Sequence, residues 1–171
     1  MTANTAVSNL NVEEVPKIIE FVKNKMLLVW HHTFEVIRGS FDESKISPPS
    51  LEQYSGLIEL EKNPILRYYH IKALQTLKQG KQVVKCKAGY FTPVIDAFGN
   101  VYACEGLPSI GNALNQEYES IWNNGLWKNQ RDHIKSGYCS CTHICFMVPS
   151  IYLNKIELAK LLLYRWLSRC R

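Results

Sequence analysis

Cysteine is the residue type in this chain best placed to do chemistry, and its distribution is uneven. None of the six cysteines precedes Cys86. Cys86, Cys104, Cys139, Cys141 and Cys145 fall within sixty residues, and Cys170 is penultimate. Cys86 and Cys104 bracket a glycine turn, as Cys86-x12-Gly99-x4-Cys104. The other three are crowded into Cys139-S-Cys141-THI-Cys145. A hairpin and a distant tight loop that bring thiolates together suit a soft metal centre, above all an iron–sulfur cluster. A structural zinc site is the alternative, although its usual paired C-x2-C knuckles are missing. Simple buried cysteines, acting as small hydrophobes, are the third reading.

The bulk composition frames these thiols. A length of 171 residues with 46% hydrophobic and 20% charged residues fits one folded domain or two small ones. Net charge is +5 and evenly shared: residues 1–85 carry 11 basic and 9 acidic groups, the rest 9 and 6. No basic block favours nucleic acid. The first residues, MTANTAVSNLNVEEV, lack the basic and apolar regions of a secretory signal, and no apolar run has the length of a membrane span. A reducing cytoplasm is therefore expected, where clustered thiols serve as metal ligands more readily than as disulfides.

The elements that must position the cysteines follow from periodicity. Residues 5–8 read as a strand, and Asn11 with Glu14 as a capping box. Val15, Ile18, Ile19 and Val22 share one helical face, and residues 27–38 read as a buried strand. Strand–helix–strand over this length predicts parallel pairing. A loop at 39–50 precedes helices at 51–61 and 64–78, the second capped by Asn63 with Pro64 behind it. Strands at 90–95 and 101–104 should form a hairpin, with 109–115 as a turn region. Short helices are expected at 119–123 and 126–135, the latter stopped by Gly137, and a long apolar helix at 155–168. Two parallel strands make no stable sheet alone, so residues 5–38 read as part of a larger one.

Cys86-x12-Gly99-x4-Cys104, then Gly111-Asn112, Ile121-Trp122, Arg131 and the distal cysteine loop, resembles the C-terminal auxiliary-cluster region of radical S-adenosylmethionine enzymes, called SPASM in its longer form and Twitch in its shorter. Upstream, TAVSNLNVEEVPKIIEFVKNK and WHHTFEVIRGS look like the last strand–helix–strand of that family's partial barrel. The resemblance implies an α/β fold: a barrel remnant at 1–80, a small α+β cluster module with a hairpin at 81–154, and a closing amphipathic helix at 155–171. It implies that Cys86 and Cys104, with two of Cys139, Cys141 and Cys145, ligate one auxiliary 4Fe–4S cluster acting as electron relay or substrate anchor. Cys141 and Cys145 are the favoured distal pair. The chain departs from the long SPASM pattern, C-x2-C-x5-C-x3-C with a later cysteine, which points to the single-cluster form. It also lacks the family's Cys-x3-Cys-x2-Cys loop, whose cluster binds S-adenosylmethionine. Alone it is therefore expected to be inactive, with the front half of the barrel supplied by a separate chain and a peptide or small molecule as the parent enzyme's substrate. A zinc-stabilised interaction module, or an electron-transfer subunit acting in trans, are the alternatives.

Lesser candidates carry plainer readings beside the functional ones. Ser8, with Asn9 and Asn11, and Arg38 are weak candidates for a cofactor groove, although turn, capping and ion-pair roles also explain them. His31 and His32 sit in the second strand, near an open barrel end or simply in a core. His143 is expected to cap the cysteine loop or bond a sulfur rather than ligate. The terminal helix either packs on the domain or lies on a membrane surface, the first being preferred. No role is expected of Cys170.

Overall fold

The computed structural model describes residues 2–24, 29–33, 50–139 and 141–169. Strand β1 (Thr2–Ala6) pairs in parallel with β2 (Val29–Thr33), Thr2 opposite Val29 and Ala6 opposite Thr33. Helix α1 (Val15–Asn24) connects them, as the apolar spacing predicts: Val15 and Val22 are buried, Ile18 and Ile19 half-buried. The first strand lies earlier than residues 5–8, because the chain already turns at Ser8. Its carbonyl accepts from Val12 N–H at 3.1 Å, and Leu10 N–H donates to its hydroxyl at 3.2 Å. The expected capping box is absent. Asn11 Oδ1 accepts from Ser8 N–H at 2.9 Å, tying the turn instead, and Glu14 pairs outward with Lys17 at 2.9 Å. Arg38, most of the 39–50 loop and Cys170 lie outside the described residues, as do the side chains of His31 and His32 in β2.

Two helices follow as expected. Helix α2 (Leu51–Leu60) starts at a capping box between Ser50 and Gln53. Helix α3 (Pro64–Gln79) starts at Asn63, whose Oδ1 accepts from Ile65 and Leu66 N–H, and ends at Gly80. The hairpin is smaller than predicted, β3 (Val94–Ile95) against β4 (Asn100–Tyr102), but gains a third strand, β5 (Gly111–Asn112), from the stretch read as a turn. Helices α4 (Tyr118–Trp122) and α5 (Gly125–Ser136, stopped at Gly137) precede the distal cysteines. Helix α6 (Ile144–Leu153) is new. It starts inside the cysteine loop and is followed by α7 (Lys155–Arg169), the expected terminal helix. The described residues are α/β: helices with a small antiparallel sheet and a parallel strand pair. Among the described residues no helix is long and apolar enough to cross a membrane.

Two hydrophobic cores organise these elements. The first gathers Val7, Val12 and Val15 with Tyr54, Leu57, Tyr68, Tyr69 and Ala73, and adds Met147, Ile151 and Leu161 from the far end of the chain. The second gathers Ala88, Val101, Ala103, Ile110, Ile121, Trp127 and Ile134 around the cysteine hairpin, with Phe146. Helix α6 supplies both cores: Phe146 faces one, Met147 and Ile151 the other. It therefore rivets the small antiparallel sheet to the helical layer.

Helix α7 is held to α3 by a buried charge. Glu157 accepts from Tyr68 Oη at 2.9 Å, Lys72 Nζ at 3.1 Å and Lys160 Nζ at 2.7 Å. Burial opposes its charge, but bonds from Lys160, Lys72 and Tyr68 outweigh that and hold its pKa below the ordinary carboxylate value. A depressed folded-state pKa contributes stability that is present above the unfolded value and lost as pH falls through the folded one. Glu157→Gln should therefore cost about 1.5–3 kcal/mol at neutral pH. The gap from wild type should close on acidification below the ordinary carboxylate range, as measured by urea unfolding at a series of pH values.

Candidate metal centre

The proximal arm is a turn whose backbone is pinned at successive residues. Cys86 N–H donates to Gln82 Oε1 at 3.2 Å, Lys87 N–H to Ser150 Oγ at 2.9 Å, and Ala88 N–H to the Cys86 sulfur at 3.4 Å. Gly89 follows at φ 71°, where a Cβ would stand 2.9 Å from Ala103 Cβ. Only glycine lets the two cysteine-bearing segments approach so closely. The Gly89 carbonyl accepts from Trp127 Nε1 at 3.1 Å, which fixes the turn to α5. Arg131, one turn further along α5, places its guanidinium over both Tyr90 and Trp122.

Cys104 is placed by the hairpin. Asp96 gathers its turn, accepting from the N–H groups of Phe98 and Asn100, from Asn100 Nδ2 and from Tyr102 Oη, all within 2.8–2.9 Å. The Asn100 side-chain bond leads the causes that lower its pKa. Gly99 makes the turn at φ 81°. Asn112 spans from β5 to the Phe98 carbonyl at 2.9 Å and to Asn100 Oδ1 at 3.1 Å, so the Gly111-Asn112 pair is a brace for this hairpin.

The distal arm curls on itself: Cys141 N–H donates to the Cys139 sulfur at 3.4 Å. Buried Tyr69 donates from its Oη to the Thr142 carbonyl at 2.6 Å, anchoring the loop to α3. His143 Nε2 pairs with Glu105 Oε1, joining the residue after Cys104 to the distal loop. The His143 backbone N–H also bonds the Cys141 sulfur, in line with the expected bond to sulfur.

These arms converge. Burial raises the Cys86 thiol pKa, and Cys104 and Cys139 are among the neighbours that raise it further. The Cys141 thiol is raised by a hydrogen bond with Cys139, then by burial, with Cys104 again a charge neighbour. Cys86, Cys104, Cys139 and Cys141 are thus one half-buried group, whereas Cys145 at the start of α6 is exposed. A single zinc ion at about 2.3 Å from each sulfur needs its thiolates packed about 3.8 Å apart. Among the described residues, no three His, Cys, Asp or Glu side chains converge around such a point. A cubane cluster is a larger body with its irons at the corners, and hydrogen bonds to its sulfurs are part of its usual setting. The quartet, with N–H···S bonds onto Cys86, Cys139 and Cys141, fits that group. Ser8, by contrast, is occupied in its turn and remote in sequence from these arms.

Comparison with known proteins agrees with this chemistry. Residues 86–145 match the model of SPASM, an iron–sulfur cluster-binding domain. An AdoMet-dependent heme synthase of Methanosarcina barkeri (strain Fusaro / DSM 804) is 29% identical over 169 residues, covering 83% of this chain and 48% of that protein. The chain thus spans about half the length of this curated relative. No solved structure matches. The chain carries a SPASM iron–sulfur domain, and the resemblance to radical S-adenosylmethionine proteins is borne out.

The Tyr69 anchor is testable apart from any metal. Tyr69→Phe keeps the ring and removes the bond to Thr142, at a cost of about 0.5–1.5 kcal/mol. Amide exchange should rise within residues 141–145 and stay unchanged in the Asp96 turn.

Proposed function

We propose that this chain is the auxiliary-cluster end of a radical S-adenosylmethionine enzyme, holding one 4Fe–4S cluster on Cys86, Cys104, Cys139 and Cys141. The observation that carries this reading is that Cys86 and Cys141, from two separate arms, each have both Cys104 and Cys139 as neighbours. When bound, the cluster supplies one-electron transfer or an anchoring point for substrate. The chain's own residues do the rest. Gly89, Trp127 and Asp96 aim the proximal pair, Tyr69 and the His143–Glu105 pair aim the distal loop, and Ala88 and Cys141 N–H groups donate to sulfur. Cys145, exposed on α6, is the spare thiol.

The parallel β1–β2 pair supports a second part of the reading. It is the end of a larger parallel barrel, with the rest, including the S-adenosylmethionine site, supplied by a front half. The AdoMet-dependent relative supports S-adenosylmethionine as co-substrate of the assembled enzyme. The thiol-rich site suits a reducing, cytoplasmic setting.

Anaerobic reconstitution of the 171-residue chain should give about four irons and four sulfides per chain, with broad thiolate-to-iron absorbance. Cys86→Ala, Cys104→Ala and Cys141→Ala should lose the cluster, and Cys145→Ala should keep it. Stoichiometric zinc without sulfide would favour the zinc module instead. A cluster lost with Cys145→Ala and kept with Cys139→Ala would move the fourth ligand to Cys145. Without a partner the chain should produce no 5′-deoxyadenosine from S-adenosylmethionine above a no-protein control, since none of its cysteines precedes Cys86.

A further inference from the structure

Ser150 is fully buried in the middle of α6, between the two hydrophobic cores. Its hydroxyl donates to the Phe146 carbonyl at 2.6 Å. Such a bond to the preceding turn is common for a helical serine and by itself implies nothing. The second bond is different. Ser150 Oγ accepts from Lys87 N–H at 2.9 Å, across 63 positions of sequence. It therefore reaches from the helix that follows the distal cysteines to the backbone that follows the first proximal one. The hydroxyl proton has the Phe146 carbonyl and the Cys86 sulfur as its acceptors, and an oxygen lone pair is aimed at Lys87.

We propose that Ser150 is a positioning residue for the iron–sulfur cluster: its buried hydroxyl clamps Lys87 N–H and so aims the Cys86 sulfur at the other three thiols. This rests on the cluster reading above. The flanking N–H groups are held by Gln82 and by the Cys86 sulfur itself, so Lys87 is where this turn is tied to α6. Lys87 is also where the helix that starts inside the distal loop meets the proximal turn. Loss of the hydroxyl would leave Cys86 free to swing and would withdraw a polar group from beside a cluster sulfur. Hydrogen bonding near the sulfurs raises a cluster's potential, so its loss should lower it.

The test compares wild type, Ser150→Ala and Ser150→Thr after anaerobic reconstitution. Ser150→Ala should take up the cluster, show a more negative midpoint potential, and release iron to a chelator about tenfold faster. Ser150→Thr, which keeps the hydroxyl, should stay close to wild type. A purely structural serine would lower the thermal midpoint of Ser150→Ala and leave the potential and iron-release rate of the folded protein unchanged; that result overturns the proposal. If Ser150→Ala does not fold, Ser150→Cys, similar in volume but a weaker acceptor, takes its place with the same expected shifts, and an unchanged potential there overturns it too. Wild-type protein that assembles no cluster would sink the cluster reading and this inference together. A wild-type cluster with unaltered variants sinks only the role of Ser150.

Discussion

Four sulfur atoms brought together out of water set the terms for the rest of this molecule. Each is half-buried, so ionisation costs desolvation, and each ionised neighbour adds repulsion. Cys86 and Cys141 are accordingly pushed towards the protonated thiol. Hydrogen bonds to the Cys86 and Cys141 sulfurs offset only part of that cost. The scaffold must hold them against that cost, and a bound cationic cluster would release it by taking up the thiolates. The dense fastening around the site follows from this. Trp127, Tyr69, Asp96 and Asn112 each spend a buried or chelating polar contact on loop backbone rather than on a regular element.

The fasteners fall into two independent sets. The proximal pair is held by the hairpin, with Asp96 and Asn112 closing its tip and Trp127 holding its base. The distal loop is held from the helical layer by Tyr69. Between the sets run two bridges: the His143–Glu105 pair at the surface and Ser150 in the interior. A surface pair of this kind is worth little by itself. The buried bridge therefore carries more of the alignment between arms, and helix α6, which bears it, also packs into both cores.

How much of this was legible follows the kind of signal each residue gives. Asn63, Pro64, Gly80 and Gly137 act locally, through their own backbone and neighbours, and the helix limits they mark agree with the structure. Cys86, Gly99 and Cys104 showed a hairpin by spacing alone. What could not be read depends on distant partners. Helix α6 is almost wholly apolar and contains Pro149, so it shows neither an amphipathic period nor an uninterrupted run. Strand β5 is two residues long and exists because β4 lies beside it: Ile110 N–H reaches the Val101 carbonyl at 2.8 Å. Asn11 and Glu14 had the right spacing for a capping box, yet the tight turn at Ser8 claimed Asn11 first. The roles of Trp127, Tyr69 and Ser150 have no local signature, since each bonds backbone far away in sequence.

The same distinction governs which cysteines act together. On the family resemblance alone, Cys141 and Cys145 are the favoured distal pair. In the fold, the Cys141 N–H turns back onto the Cys139 sulfur, and both side chains lie in reach of the proximal pair. Cys145 is exposed and already belongs to α6, which packs Phe146, Met147 and Ile151 into the two cores. A helix forced to start at residue 144 by packing at 146–151 leaves its second residue facing solvent. The exposure of Cys145 thus follows from the hydrophobic pattern downstream of the loop rather than from the intervals between the cysteines.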